Sequence, residues 1–301
     1  MSESRWVSLS IAAYFIAFLF GFPLVATLRG RRTKRRPPVD FLLRRGPGET
    51  LRRKVARFHE EFIFQVAGTS LVPLVAASVV LLALHRIFHP AASVGIGLEL
   101  AAAAAVFAGA LALTVGILWG KVRAFRNCSL GYLGERAVGE EMEPLLAGGY
   151  RVFHDVPMGS GSFPFNLDHV AVGPNGLFVI ETKTWRKGRA RPGFDDHRVA
   201  YDGRQLVWPW GEDATTPQQA EHRAAALSRW LNAKTGLGIS ARPVLVLPGW
   251  FVNIQGVGRV VVVNHKQLAA AVMRGGDRVL TPEQMDLAAR QLDTLCRDVE
   301  D

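Results

Sequence analysis

Residues 165–185 read FNLDHVAVGPNGLFVIETKTW, and the turn in their middle decides how the rest of the chain is read. Gly173-Pro174-Asn175-Gly176 separates two runs rich in β-branched and aromatic residues, a pattern that predicts a β-hairpin. A two-residue loop centred on Pro174 and Asn175 pairs Asp168 with Glu181, whereas one centred on Asn175 and Gly176 pairs it with Lys183. Strand side chains repeat every second residue, so Glu181 and Lys183 share a face, and Asp168 joins it in either register. A loop of odd length would turn Asp168 to the other side. Val170, Val172, Leu177 and Val179 continue the face of Asp168; His169, Ala171, Phe178, Ile180 and Thr182 make the opposite one. Both are largely apolar, as expected of a sheet covered on two sides.

Only the end of the hairpin far from the turn is charged. Two adjacent carboxylates repel, and a divalent cation is one resolution. Mg²⁺ accepts one or two carboxylates and keeps its other positions for water and phosphate oxygens. A lysine beside it can stabilise charge that builds on a phosphate. The competing reading is a solvated strand end with ordinary surface ion pairs.

Asp168 followed by Glu181-Thr182-Lys183 resembles the D…(D/E)-x-K core of the restriction-endonuclease-like nucleases. The fuller pattern resembles the nuclease-related (NERD) domain over residues 130–263. Its pieces are Gly134-Glu135-Arg136-Ala137-Val138, then Leu167-Asp168-His169-Val170, then residues 173–185, then a Pro-Gln helix start near Gln219. The resemblance implies an α/β fold, a mixed β-sheet flanked by helices. It also implies Mg²⁺ or Mn²⁺ held by Asp168 and Glu181, with Lys183 positioning the attacking water and Glu135 and Gln219 assisting. The implied activity is phosphodiester hydrolysis in nucleic acid, DNA ahead of RNA. The alternative is a catalytically silent binding or scaffold protein on the same fold.

Around the hairpin, a helix is expected over 130–143, with Glu135, Val138 and Met142 on one stripe and Pro144 ending it. Residues 150–156 read as the first strand. His169 alternates away from Asp168 and reads as a packing histidine. Arg186, Lys187, Arg189 and Arg191 read as a solvated loop or, beside a metal, as contacts to a phosphate backbone. Trp185, Trp208 and Trp210 suit either a core or base stacking. Thr216 and Pro217 open a helix with Ala220, Ala224, Leu227 and Leu231 buried, and Gln219 borders that stripe in line with Ala226 and Trp230. Residues 244–247 and 260–263 read as central strands, and helices near 266–273 and 282–297 close the domain.

The N-terminal half has another character. Residues 6–28, 62–84 and 100–119 are long and apolar enough to cross a bilayer, predicting a three-helix transmembrane anchor over 1–128 and a separate cytoplasmic domain over 129–301. The net charge of +10 belongs to the anchor: residues 1–128 hold 17 Lys+Arg against 6 Asp+Glu, and the remainder 19 against 20. Twelve Lys/Arg crowd residues 29–57, whereas Arg86 stands alone in 85–99. By the positive-inside rule the basic loop 29–61 and the C-terminal domain are cytoplasmic, in a multi-pass protein of the cell membrane whose partners are lipid and nucleic acid. The basic charge therefore does not by itself indicate a nucleic-acid surface. The two cysteines, Cys128 and Cys296, form neither a zinc pattern nor a disulfide framework.

Overall fold

The computed structural model describes residues 42–88, 95–159, 165–188, 190–274 and 279–299. The expected membrane helix over 6–28, the first half of the basic run and Arg189 lie outside them. Among the described residues, 55–126 form one compact unit, and 42–54 with 127–299 form a second.

The first unit is helical. Helix α1 (Glu49–Ser70) enters it and is followed, after a turn at Leu71, by α2 (Val72–Phe88) and α3 (Gly95–Glu140). The apolar run 62–84 thus straddles a break, with Pro73 in the first turn of α2, where a missing N–H costs nothing. The stretches Glu49–His85 and Gly97–Ala147 are long and apolar enough to cross a membrane, by length and composition. Residues such as Leu82, Leu98, Leu113 and Trp119 are exposed along them. The helix expected to begin near 130 is the last part of α3, because nothing between Trp119 and Glu140 interrupts the backbone ladder.

In chain order the second unit comprises β1 (Leu42–Arg44), the end of α3, the short α4 (Glu143–Ala147), β2 (Arg151–Met158), β3 (Phe165–Gly173) and β4 (Gly176–Thr182). Three short strands follow, β5 (Arg198–Tyr201), β6 (Leu206–Trp208) and β7 (Gly211–Asp213), before α5 (Thr215–Thr235). Strands β8 (Ala241–Val246), β9 (Phe251–Ile254) and β10 (Val261–Val263), helices α6 (Leu268–Met273) and α7 (Pro282–Leu295), and β11 (Arg297–Val299) complete it.

The main sheet runs β10-β8-β4-β3-β2, with β2, β3 and β4 antiparallel and β8 and β10 joining β4 in parallel. Both faces are covered, as the alternation requires. Val170, Val172, Leu177 and Val179 pack with Ala224, Leu227 and Leu231 of α5 and Leu292 of α7. Ala171, Phe178 and Ile180 pack with Val138 of α3, with Met142 just ahead of α4, and with Leu268 and Val272 of α6.

Three features depart from the sequence reading. The run at 260–263 forms an edge strand of the main sheet, with Val261 exposed, rather than a central one. A second sheet, β7-β6-β5-β9, gathers residues that the sequence reading assigns to no element, and buries Trp208 and Trp250 against Leu245 and Leu247. Part of the expected basic loop belongs to this unit: β1 pairs with β11, and Arg45 reaches Asp155 on β2.

Candidate active site

The turn adopts the register centred on Pro174 and Asn175. Gly173 pairs with Gly176 and His169 with Ile180, which sets Asp168 across from Glu181 one step further on. Glycine is required at both ends of the turn. Gly176 has φ 128°, and a Cβ on Gly173 would lie 2.0 Å from the Tyr150 ring. Asp168 Oδ2 accepts the Thr182 N–H at 2.7 Å, tying the two carboxylate-bearing strands together at the open end of the hairpin. Lys183 continues the pairing by one residue, its N–H donating to Val246 O at 2.9 Å. Its ammonium lies within electrostatic reach of Glu181 and Asp213 and 5.8 Å from the centre of the Trp185 ring.

Helix α5 crosses the face on which the two acids stand. Asp213, ahead of the helix, accepts both the N–H and the hydroxyl of Thr216, at 3.0 and 2.6 Å. The cap is therefore Asp213 rather than Thr216. Two turns into the helix, Arg223 extends to both acids. Its Nη1 is 3.7 Å from Asp168 Oδ1 and forms a close ion pair with Glu181 Oε2. The repulsion that the sequence assigns to a metal is thus partly relieved by a guanidinium. Arg223 lies on the stripe that carries Gln219, Ala226 and Trp230, four residues after Gln219, so helical spacing was the signal that could have found it.

Burial still outweighs the guanidinium. The Asp168 carboxyl is pushed well above the usual carboxylate range by burial and then by the charges of Glu181 and Glu135. Glu181 is raised by burial despite Arg223. Glu135 is pushed up to about 8, first by burial and then by the charges of Asp155 and Glu181. Without a cation these carboxyls compete for protons rather than standing as free anions.

Glu135 approaches because Gly134 allows it. A Cβ on Gly134 would fall 1.8 Å from Thr184 Oγ1, so only glycine lets α3 lie this close to the chain leaving β4. Gln219 is exposed one turn before Arg223, as is Gln218. Arg186 and Lys187 are exposed just beyond Lys183, and Arg186 donates to Asn127 Oδ1 at 3.2 Å. His169 faces the other side of the sheet, where its Nδ1 lies 2.8 Å from His154 Nδ1.

Asp155, unmarked by any motif, is buried at a φ of 48°. Its Oδ2 accepts from the Thr50 N–H and hydroxyl, both at 2.7 Å, and its Oδ1 from Asn166 Nδ2 at 2.8 Å, with Arg45 at 3.4 Å. These contacts bind the first turn of α1 and the segment before it to the sheet.

The donors suit a hard ion: Asp168 and Glu181 bring carboxylate oxygens to a single cationic nitrogen. Among the described residues no group of three or more His, Cys, Asp and Glu forms a metal cage. Two carboxylates with the remaining positions left to water is the arrangement Mg²⁺ and Mn²⁺ accept, provided Arg223 withdraws.

The arrangement is a mixed α/β domain with paired acids and a lysine where the central hairpin opens. Residues 130–248 match the family model of the nuclease-related domain (NERD), so a nuclease-related domain occupies this part of the chain. Comparison with curated proteins and with solved structures returns no match.

Proposed function

We propose that the chain is a membrane-anchored, metal-dependent nuclease that hydrolyses phosphodiester bonds of nucleic acid, DNA ahead of RNA. The observation that carries the reading is the meeting of Asp168, Glu181 and Lys183 at one end of a hairpin inside a nuclease-related domain. Asp168 and Glu181 would hold Mg²⁺ or Mn²⁺ in the place Arg223 fills. The bound ion would lower the pKa of a water and neutralise charge on the scissile phosphate. The Thr182 N–H keeps Asp168 aimed inward. Lys183 would stabilise charge on the phosphate and orient the attacking water. Glu135, whose carboxyl is pushed up to about 8 by burial and the neighbouring acids, would help to orient that water. Gln219, on the rim, and Arg186 and Lys187, in the exposed segment after the strand, would meet the sugar–phosphate backbone. The apolar stretches Glu49–His85 and Gly97–Ala147 support the anchor. The positive-inside bias supports a cytoplasmic position for the nuclease domain.

Arg223 favours one other reading. A guanidinium that permanently replaces the metal would leave a nuclease fold that binds nucleic acid or a protein without turnover. Incubating the full chain with DNA and RNA over a series of divalent cations separates the two. The nuclease reading expects cleavage that requires Mg²⁺ or Mn²⁺ and disappears in Asp168→Ala and Lys183→Ala. Binding without cleavage in every metal supports the silent alternative.

A further inference from the structure

Beside the acidic site four tryptophans meet, and only two of them belong to the interior. Trp208 and Trp250 are 2% and 1% exposed and pack edge to face at 5.0 Å, filling the space under the second sheet. Trp185 and Trp210 keep 45% and 39% of their surface in solvent. Trp210 lies parallel to Trp208, at 7° and 5.3 Å, and meets Trp250 edge to face at 5.5 Å, which holds the half-exposed ring against the inner pair. Trp185 meets Trp210 at 6.1 Å with an inclination of 62°. The indole N–H of Trp250 donates to Trp185 O at 3.2 Å, which fixes the backbone beneath the exposed ring. The two outer rings are therefore mounted on a rigid inner layer, and ordering them costs a ligand little.

Cations border the same surface. Lys183 sits over the Trp185 ring. The backbone and side chain of Arg191 donate to Pro209 O at 2.9 and 3.3 Å, pinning its guanidinium beside the strand turn that carries Trp208 and Trp210. Lys187 is exposed in the intervening segment. Exposed aromatic faces next to fixed positive charge complement a ligand that offers flat rings on an anionic backbone. In a duplex those rings are already stacked on one another, whereas an unpaired strand presents them freely.

We infer that Trp185 and Trp210 form a stacking platform for unpaired bases that flank the scissile phosphate, making single-stranded nucleic acid the preferred substrate class of the site. This rests on the nuclease reading and deepens it. The Lys183–Trp185 contact is the link between the two, because it joins the proposed phosphate-stabilising group to the proposed base-stacking ring. A protein surface or an anionic bilayer could also meet exposed tryptophan, but neither matches the position of these rings against the site lysine.

The test is equilibrium binding of the full chain in detergent to a labelled single-stranded DNA oligonucleotide, its duplex and anionic vesicles, with Ca²⁺ replacing Mg²⁺ so that no cleavage intervenes. Trp185→Ala and Trp210→Ala should each weaken single-strand binding about 5- to 150-fold, the range of one lost base stack. Duplex binding should change far less. Trp185→Phe and Trp210→Phe, which keep an aromatic face over the inner layer, should recover most of the loss and control for any unfolding in the alanine variants. Single-stranded DNA should quench the tryptophan fluorescence of the parent chain. The inference is overturned if single strand and duplex weaken equally, if neither strand responds to the alanine changes, or if vesicle binding alone responds. A parent chain that binds neither form of DNA instead overturns the nuclease reading itself, so the two failures are distinguishable.

Discussion

Removing the Arg223 guanidinium should destabilise the apo protein and strengthen its hold on a divalent cation. In Arg223→Ala the Asp168 and Glu181 carboxyls lose a guanidinium that lies within 4 Å of both. A unit charge pair 4 Å apart is worth about 4 kcal/mol at an effective dielectric of about 20. Breaking a buried pair by deleting one partner costs about 3–5 kcal/mol, because the other charge is stranded. Both carboxyls already sit above their usual range, so part of that cost is relieved by taking up protons. The loss should accordingly approach about 3–5 kcal/mol well above neutral pH and shrink in acid. The assay is denaturant unfolding of the full chain at several pH values, with and without Mn²⁺, alongside calorimetric titration with Mn²⁺. An ion present at about 100 times its dissociation constant adds about 2.7 kcal/mol, so saturating Mn²⁺ should return much of what the substitution removes. It should also bind the variant more tightly than the parent, since no guanidinium must withdraw. Equal unfolding free energies for parent and variant, or Mn²⁺ that stabilises neither, would refute the reasoning.

Other perturbations test other parts of the account. Gly134→Ala sets a methyl group against Thr184 Oγ1 and should cost about 1–3 kcal/mol in unfolding measurements, with partial recovery when Thr184→Ala is added. Asp155→Ala removes the buried carboxylate that pairs with Arg45 and accepts from Thr50 and Asn166, and should cost about 3–5 kcal/mol by the same unfolding assay. The His154–His169 pair predicts an acid-sensitive fold. Burial holds His154 down to about 4 and His169 well below its usual value. Between about pH 6.5 and 4 the unfolded chain therefore binds protons that the folded chain refuses. The pair's own contribution to stability should be full above about pH 6.5 and fall by about 1.4 kcal/mol per pH unit for each histidine as the medium is acidified, while the raised carboxyls of Glu135, Asp168 and Glu181 act in the opposite sense. Thermal melts from pH 7.5 to 4.5 on the parent and on the chain with both histidines replaced by leucine isolate it, and the parent should lose stability relative to the variant as pH falls.

The hairpin was legible because its information is local. Gly173 and Gly176 bracket a two-residue turn, and once that turn is placed every side chain from Phe165 to Thr182 is assigned to a face. The acids meet where that register puts them. What the sequence concealed depends on distance along the chain. Strands β5 to β7 and β9 are three or four residues long, too short for alternation to register, and β5 pairs with β9 some fifty positions away. The pairing of β1 with β11 joins opposite ends of the described chain, so the basic charge around Arg44 and Arg45 reads as loop until Asp155 and Asp293 are set beside it. Arg223 was hidden for a different reason. An arginine on an amphipathic helix ordinarily denotes solvent, and only the three-dimensional position of Asp168 and Glu181 turns that side of α5 into an ion-pair site. The continuity of α3 was obscured because the apolar run stops at Trp119 and charge follows at Lys121, Arg123 and Arg126, although charge does not stop a helix that has no breaker.

The central claim is that Asp168 and Glu181 together hold a divalent cation in place of Arg223. Electron paramagnetic resonance of Mn²⁺ titrated into the full chain, the Asp168→Asn variant and the Glu181→Gln variant tests it most directly. The account predicts one bound Mn²⁺ per parent chain, lost or greatly weakened in both variants. Mn²⁺ held equally well by all three chains, or by none of them, would contradict it.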